Sequence, residues 1–179
     1  MTVRFDELRV LKVAEGVADE LWKIVLEWDD YTKDTVGKQL VRAADSIGAN
    51  IAEAYGRYHY GEKLQFLYYS RGSLFETKYW INRAFERQIL SATDFHDLAE
   101  KLSTLAHDLN AFAKSLKDRK KGEKLREPSS EYKIGQESSY NIEGIELFSP
   151  DDLDALFQFP NSTNNHQSPI TNHPKNRNG

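Results

Sequence analysis

An unbroken helical repeat limits the folds that this chain can adopt. Between positions 95 and 116, apolar residues follow one another at spacings of three and four. They are Phe95, Leu98, Leu102, Leu105, Leu109, Phe112 and Leu116. This spacing puts them on one face of an α-helix of about six turns. A helix with one apolar face must bury that face against other elements, so the repeat predicts helix packing.

Three segments upstream carry the same kind of pattern, at about 6–28, 35–57 and 62–88. Asp34 or Thr35 is expected to cap the second of these helices. Short links between the helices force neighbours to run antiparallel, and no segment shows sustained period-two alternation. The sequence therefore predicts an all-α fold, an antiparallel up-down-up-down four-helix bundle over residues 1–121.

The remaining residues, 122–179, differ in composition from the bundle. They hold 5 Lys+Arg and 9 Asp+Glu, whereas residues 1–121 hold 19 of each, so the net charge of −4 lies in this tail. Ser, Asn, Gly, Pro and acidic residues dominate it, a composition typical of disorder. We expect a disordered, flexible C-terminal extension that is acidic first and then Asn-rich.

Residues 149–159 interrupt this tail with a short helical pattern. Ser149 suits an N-cap and Pro150 suits the first turn. The expected apolar face comprises Leu153, Leu156 and Phe157. A short acidic helix of this kind is typical of a motif that docks into a groove on a partner protein. Packing of the tail on its own bundle remains the alternative.

The second helix carries a polar line beside its apolar face. Ser46, Asn50, Glu53 and Arg57 recur at spacings of four, three and four, next to Ala and Gly. Small neighbours allow close packing, and polar groups under close packing need hydrogen-bond partners. The third helix has a similar stripe. If the two stripes face each other, they form an interface or a buried polar network, with these candidates: Gln39, Ser46, Asn50, Glu53, Ser73 and Glu76.

Signatures of catalysis and metal binding are missing from the sequence. It contains no cysteine, no Glu-x-x-His pair and no Gly-rich phosphate loop. His96 and His107 are eleven residues apart, too far to chelate one metal by themselves. We therefore predict no metal, no cofactor and no enzymatic activity. Acid–base chemistry by Glu53 and Glu76 is the weaker alternative to a structural network.

Basic residues are spread over the helices, and on the third helix aromatic residues are interleaved with them, a mixture that can bind phosphates and stack bases. These aromatic residues are Tyr68, Tyr69, Tyr79 and Trp80. The candidates for a nucleic-acid or partner surface are Arg42, Arg57, Arg71, Lys78, Arg83 and Arg87. An ordinary solvated bundle face is the alternative, and the neutral bundle argues against strong nonspecific binding. No apolar run approaches the roughly 20 residues of a membrane span, so we predict a cytoplasmic protein without membrane contact.

The second helix resembles a known family signature in the run Gln39-Leu-x-Arg42-Ala-Ala-x-Ser46-Ile-x-x-Asn50-Ile-Ala-Glu53-Ala-x-Gly-Arg57. The family comprises small four-helix-bundle proteins encoded in intervening sequences of large-subunit ribosomal RNA genes. It includes Avd, the accessory variability determinant of diversity-generating retroelements. A second run, Phe66-Leu-x-x-Ser70-x-Gly-Ser-Leu-x-Glu76, resembles its other motif, and Phe5-Asp-Glu-Leu8 resembles its opening. The resemblance covers about residues 4–118.

This resemblance implies an antiparallel bundle that assembles into a homopentamer. We expect exposed sides of the second and third helices to build the contacts between subunits. For Avd it implies a nonenzymatic adaptor that binds a reverse transcriptase and contacts RNA or DNA through a basic surface. We therefore expect an Avd-like accessory protein. The alternative is a protein-interaction scaffold whose tail helix docks on a partner protein without nucleic acid.

Overall fold

The computed structural model describes the backbone of residues 8–124 and 148–157, and the side chains of residues 8–119 and 148–154. This part of the chain is helical and contains no strand. Its helices are α1 (Arg9–Leu26), α2 (Asp30–Thr32), α3 (Lys38–Gly56), α4 (Tyr60–Glu86), α5 (Ala92–Lys124) and α6 (Pro150–Phe157). A π-helical stretch, Lys33–Gly37, joins α2 to α3.

Helices α1, α3, α4 and α5 form a four-helix bundle. Helix α1 packs on α3 and α5, and α4 packs on the same two helices from the other side. Two ion pairs show that α1 and α5 are antiparallel. Arg9, at the start of α1, contacts Asp108, whereas Glu20, further along α1, contacts Lys101, which comes earlier in α5. The antiparallel arrangement and the predicted all-α bundle are thereby confirmed.

The core lies between the four helices and uses the residues that the periodicity predicts. All seven apolar positions of the repeat in α5 face inward, and five of them are completely buried. The largest fully buried side chains are Leu21, Leu40, Ile47, Ile51, Leu67, Leu74, Ile81, Phe95, Leu98, Leu102, Leu105 and Phe148. Among the helices of the described residues, none is both long and apolar enough to cross a membrane.

The second helical segment begins earlier than the sequence predicts. Asp29, not Asp34 or Thr35, is the N-cap, and its carboxylate accepts hydrogen bonds from the Thr32 hydroxyl and from the Thr32 N–H at 3.1 Å. These two hydrogen bonds stabilise the ionised carboxylate and so lower the pKa of Asp29 below its ordinary value. The bond from the hydroxyl has the larger effect on this pKa. Asp34 instead pairs with Lys38 one turn away.

Helix α6 begins where the sequence predicts, and it packs on its own bundle. The Ser149 hydroxyl accepts the Asp152 N–H at 3.1 Å, and the Asp152 carboxylate accepts the Ser149 N–H at 3.0 Å, as in a capping box. Leu153 is partly buried against the core. The side chains of Leu156 and Phe157 lie outside the described residues, as do the other parts of the predicted disordered extension, 125–147 and 158–179.

Candidate functional site

The polar lines of α3 and α4 lie side by side. On α3, the Ser46 hydroxyl donates to the Arg42 carbonyl at 2.7 Å, and the Asn50 amide donates to the Ser46 carbonyl at 2.8 Å. The same Asn50 amide reaches the Ser73 hydroxyl of α4 at 3.4 Å, a long and therefore weak hydrogen bond. This contact aligns the two stripes into one surface, which we call the α3–α4 face.

A buried serine fixes the spacing of the two helices beneath this face. Ser70 is fully buried, and its hydroxyl donates to the Ile47 carbonyl of α3 at 3.1 Å. Ser70 was not among the predicted site residues, although its small side chain lies on the buried side of α4. Its place in the family-like run from Phe66 to Glu76 was the signal for it.

The charged residues of the stripes do not form the expected network between helices. Arg57 pairs with Glu53 on α3, and Arg83 pairs with Glu86 on α4, so each arginine is bound within its own helix. Glu76 is exposed and has no ion pair among the described residues. Gln39 is also exposed, at the start of α3. The two polar stripes therefore meet through Asn50 and Ser73, whereas Ser70 and Lys63 of α4 bond to main-chain carbonyls of α3.

One end of the α3–α4 face combines a cation with aromatic rings. The Arg57 guanidinium lies 4.7 Å from the centre of the Phe66 ring. Phe66 meets Tyr69 edge to face at 5.6 Å, and Gln65 donates to the Tyr69 hydroxyl at 2.7 Å. A guanidinium held over a ring keeps N–H groups available for an anion, while Tyr69 offers an exposed ring for stacking.

The other end of the face carries Arg42, Arg83 and Arg87. Arg42 and Arg87 are exposed, and Arg83 is about half-buried beside its partner Glu86. Tyr79 is exposed next to this end and contacts Trp80 edge to face at 5.1 Å. Four of the six predicted surface cations thus border the α3–α4 face: Arg42, Arg57, Arg83 and Arg87.

Lys78 lies inside the bundle, so its assignment to a surface was wrong. Its side chain is 6% exposed, and its ammonium lies 4.8 Å from the centre of the Phe95 ring. That ammonium has no hydrogen-bond partner in the described part of the chain. Burial lowers the pKa of Lys78, because the charged form is poorly solvated there.

Arg71 lies on a different side of α4, toward α5 and α6. Its guanidinium bonds to the Asp152 carboxylate at 3.0 Å and lies over the rings of Phe75 and Phe148 at 4.9 and 5.5 Å. Arg71 is therefore occupied by the chain's own tail. The structure separates it from the four arginines of the α3–α4 face.

A shallow groove runs between α1 and α3. Small residues line it, among them Ala14, Ala18, Gly48 and Ala49. Asp45 also lines it, and partial burial raises the pKa of its carboxyl, with repulsion from Asp19 adding to this effect. The exposed side chains of Trp22 and Leu26 border its continuation toward the π-helical stretch. We call this surface the α1–α3 groove.

Within residues 8–119 and 148–154, no three His, Asp or Glu side chains come together in a way that could hold a metal ion. The polar groups of the α3–α4 face are hydroxyls, amides and charged side chains, of which Arg57 and Arg83 are paired within their own helices. Such groups can hold an anionic or hydrogen-bonding partner.

Comparison with known protein families gives one match. Residues 6–111 match the model of a family described as 23S rRNA-intervening sequence protein. The matched region begins just before α1, spans α1, α3 and α4, and ends within α5. No curated protein matches the chain.

Proposed function

Because this chain belongs to the 23S rRNA-intervening sequence protein family, we propose that it is a nonenzymatic, oligomeric accessory protein that binds RNA or DNA through the α3–α4 face. An Avd-like role beside a reverse transcriptase is the more specific form of this proposal. The observation that carries it is the contact between Asn50 and Ser73, which aligns two polar stripes into one surface.

The chemistry of the α3–α4 face suits a nucleic acid. Its ends carry arginines, which bind phosphates, and exposed tyrosine rings, on which bases can stack. Its centre presents Asn50 and Ser73, whose amide and hydroxyl can both donate and accept hydrogen bonds. Arg57 and Arg83 are paired with glutamates, so a phosphate must compete with those carboxylates. We therefore expect moderate affinity for a single subunit.

Assembly would compensate for this modest affinity. A ring of subunits repeats the α3–α4 face several times, and linked sites bind far more tightly than single ones. Exposed sides of the second and third helices were the expected subunit contacts. The α1–α3 groove is now our candidate instead, because its small residues allow close approach and Trp22 and Leu26 are exposed beside it. Contact there would leave the Asn50–Ser73 side of α3 open for RNA or DNA, with Arg42 and Ser46 at the border between the two surfaces.

The alternative function, a scaffold whose tail helix docks on a partner protein, is not favoured. Helix α6 packs on its own bundle, and Asp152 is bonded to Arg71 of α4.

The test is a titration of a labelled RNA hairpin with the full-length protein across a salt series. We expect affinity to fall steeply with salt. In the double variant Arg42→Ala/Arg83→Ala, the slope of log affinity against log salt should become shallower by about 1 to 2 units, since each lost phosphate contact removes about 0.7 to 0.9.

The matched control replaces two exposed cations of α1, with the variant Lys12→Ala/Lys23→Ala, which has the same change in net charge. Its salt slope should equal that of the wild type. Absence of binding at low salt, or an equal effect of both double variants, would overturn the proposed role of the α3–α4 face.

A further inference from the structure

The surface between α4 and α5 is filled by a piece of the tail. Phe148 lies far along the chain from α5, yet it is 0% exposed, like the central residues of the bundle. Its ring packs against Phe75 of α4, with the ring centres 5.6 Å apart. Together with the Arg71 guanidinium, Phe75 forms a pocket that accepts one aromatic side chain.

A single side chain of α5 binds the backbone at this position. The Asn110 amide donates to the Phe148 carbonyl at 2.9 Å, and the Asn110 carbonyl oxygen accepts the Phe148 N–H at 2.9 Å. Both bonds go to main-chain atoms. A carboxamide that pairs with both polar main-chain groups of one residue holds the peptide backbone whatever the side chain, so the aromatic pocket must supply the selectivity.

The residues after Phe148 supply a second, charged anchor. Ser149 and Asp152 cap the first turn of α6, and this turn places the Asp152 carboxylate 3.0 Å from the Arg71 guanidinium. Hydrogen bonds from the Ser149 N–H and the Arg71 side chain lower the pKa of Asp152 below its ordinary value, and the bond from Ser149 has the larger effect. Asp151 is exposed, and the structure gives it no such contact.

The length of the connection allows this segment to leave and return. The 23 residues 125–147 link α5 to Phe148, and a chain of that length can span up to about 80 Å. The part of α5 between Asn110 and Lys124 is only about 21 Å long at 1.5 Å per residue. The segment is thus a tethered ligand, held near its site by effective concentration as well as by contacts.

We propose that the α4–α5 surface is a recognition site for a short peptide with phenylalanine followed four residues later by an acid, and that residues 148–154 are its exchangeable ligand in cis. The motif is read at three points: the phenylalanine ring, its backbone and the acid. The same site would accept this motif from another protein once the chain's own segment is displaced.

The test uses the full-length chain and a fluorescent peptide of residues 146–158. The wild-type site is already filled, whereas the variant Phe148→Ala/Asp152→Ala lacks both anchors of its own segment. We expect the peptide to bind this emptied variant at least about tenfold more tightly than the wild type, because the tethered segment competes at millimolar effective concentration. Asp151→Ala is the matched control and should behave as the wild type.

Substitutions in the peptide test the same site and leave the folded protein unchanged. Against the emptied variant, a peptide with Phe148→Ala or Asp152→Ala should lose at least about tenfold in affinity, and a peptide with Asp151→Ala should lose little. Adding Asn110→Ala to the emptied chain should abolish binding of the unchanged peptide, with helicity by circular dichroism as the check on folding. Equal binding to the wild type and the emptied variant, or no binding to either, would overturn the proposal.

A second measurement tests whether the ligand is bound in cis. The chain has no cysteine, so His107→Cys and Asp154→Cys, both at exposed positions, provide two sites for a donor and an acceptor dye. Energy transfer within the doubly labelled chain should persist in a large excess of unlabelled wild type. Loss of transfer on mixing would show exchange of the segment between copies and would overturn binding in cis.

Discussion

At the scale of the residue, Lys78 is the least expected feature of the bundle. Burial of an ammonium without a hydrogen-bond partner destabilises the fold, and the cation–π contact with the Phe95 ring offsets only part of this destabilisation. The sequence around Lys78 does not indicate that its side chain is buried. Lys78 follows Thr77 on α4, and both are buried although neither is apolar. Periodicity marks polar positions as exposed, which explains why Lys78 was placed on the surface.

Lys78→Met should stabilise the protein by about 1 kcal/mol at pH 7, since methionine keeps the apolar stem and removes the buried charge. The pKa of Lys78 is lowered in the folded state, so the unfolded chain binds more protons between that lowered pKa and 10.5. The wild type therefore gains stability as the pH rises through this window. The advantage of the variant should shrink toward pH 10.5, as measured by urea unfolding.

Lys12→Met is the control for this change, because Lys12 is exposed on α1. It should alter the free energy of unfolding by less than about 0.5 kcal/mol at either pH. A destabilised Lys78→Met variant would mean that the ammonium has an unrecognised favourable contact in the folded protein.

At the scale of the element, the junction from α2 to α3 depends on Gly37. The π-helical stretch turns Gly37 toward α1, where an added Cβ would lie 2.7 Å from a methyl group of Val25 and 3.4 Å from the Thr32 carbonyl oxygen. Valine is stiff at χ1 and cannot easily move aside. Gly72 in α4 is the opposite case. An added Cβ there would meet nothing within 4 Å, so no other part of the described bundle approaches α4 closely at Gly72.

The two glycines should respond with opposite signs. Gly37→Ala should destabilise the protein by about 1 kcal/mol or more, because crowding outweighs the gain in helix propensity. Gly72→Ala should stabilise it by up to about 1 kcal/mol, because the position is helical and open. Thermal or urea unfolding of the two variants measures this difference. The same sign for both would show that local packing does not decide the effect.

The sequence predicts elements better than contacts, and the reason is physical. Apolar periodicity and capping residues are properties of each helix alone, so the repeat in α5 and the cap Ser149 could be identified directly. The direction in which Arg71 and Arg83 point depends on which neighbour each side of α4 meets. Periodicity does not contain that information. The burial of Phe148 likewise depends on a pocket made by two other helices.

At the scale of the whole molecule, the bundle presents three distinct surfaces. The α1–α3 groove is lined by small residues, the α3–α4 face is polar and cationic at its ends, and the α4–α5 surface is covered by residues 148–154. Arg42 and Ser46 of the α3–α4 face also line the continuation of the α1–α3 groove, so these two surfaces share a border on α3. The α4–α5 surface lies on another side of the bundle, so peptide binding can be changed by mutation separately from the other two functions.

Assembly is the property that one exposed residue should control. Trp22 is 53% exposed beside the α1–α3 groove, and tryptophan is the residue type most often found at the centre of protein interfaces. The family resemblance implies five subunits, which at 20.6 kDa each give an expected mass of 103 kDa by native mass spectrometry.

Trp22→Lys should shift the protein to monomers, since it places a charge where the subunits meet. Tyr79→Lys, at a residue that is 55% exposed on α4, should remain assembled. A wild-type monomer would contradict the oligomeric role, and an assembled Trp22→Lys variant would move the contact away from the α1–α3 groove.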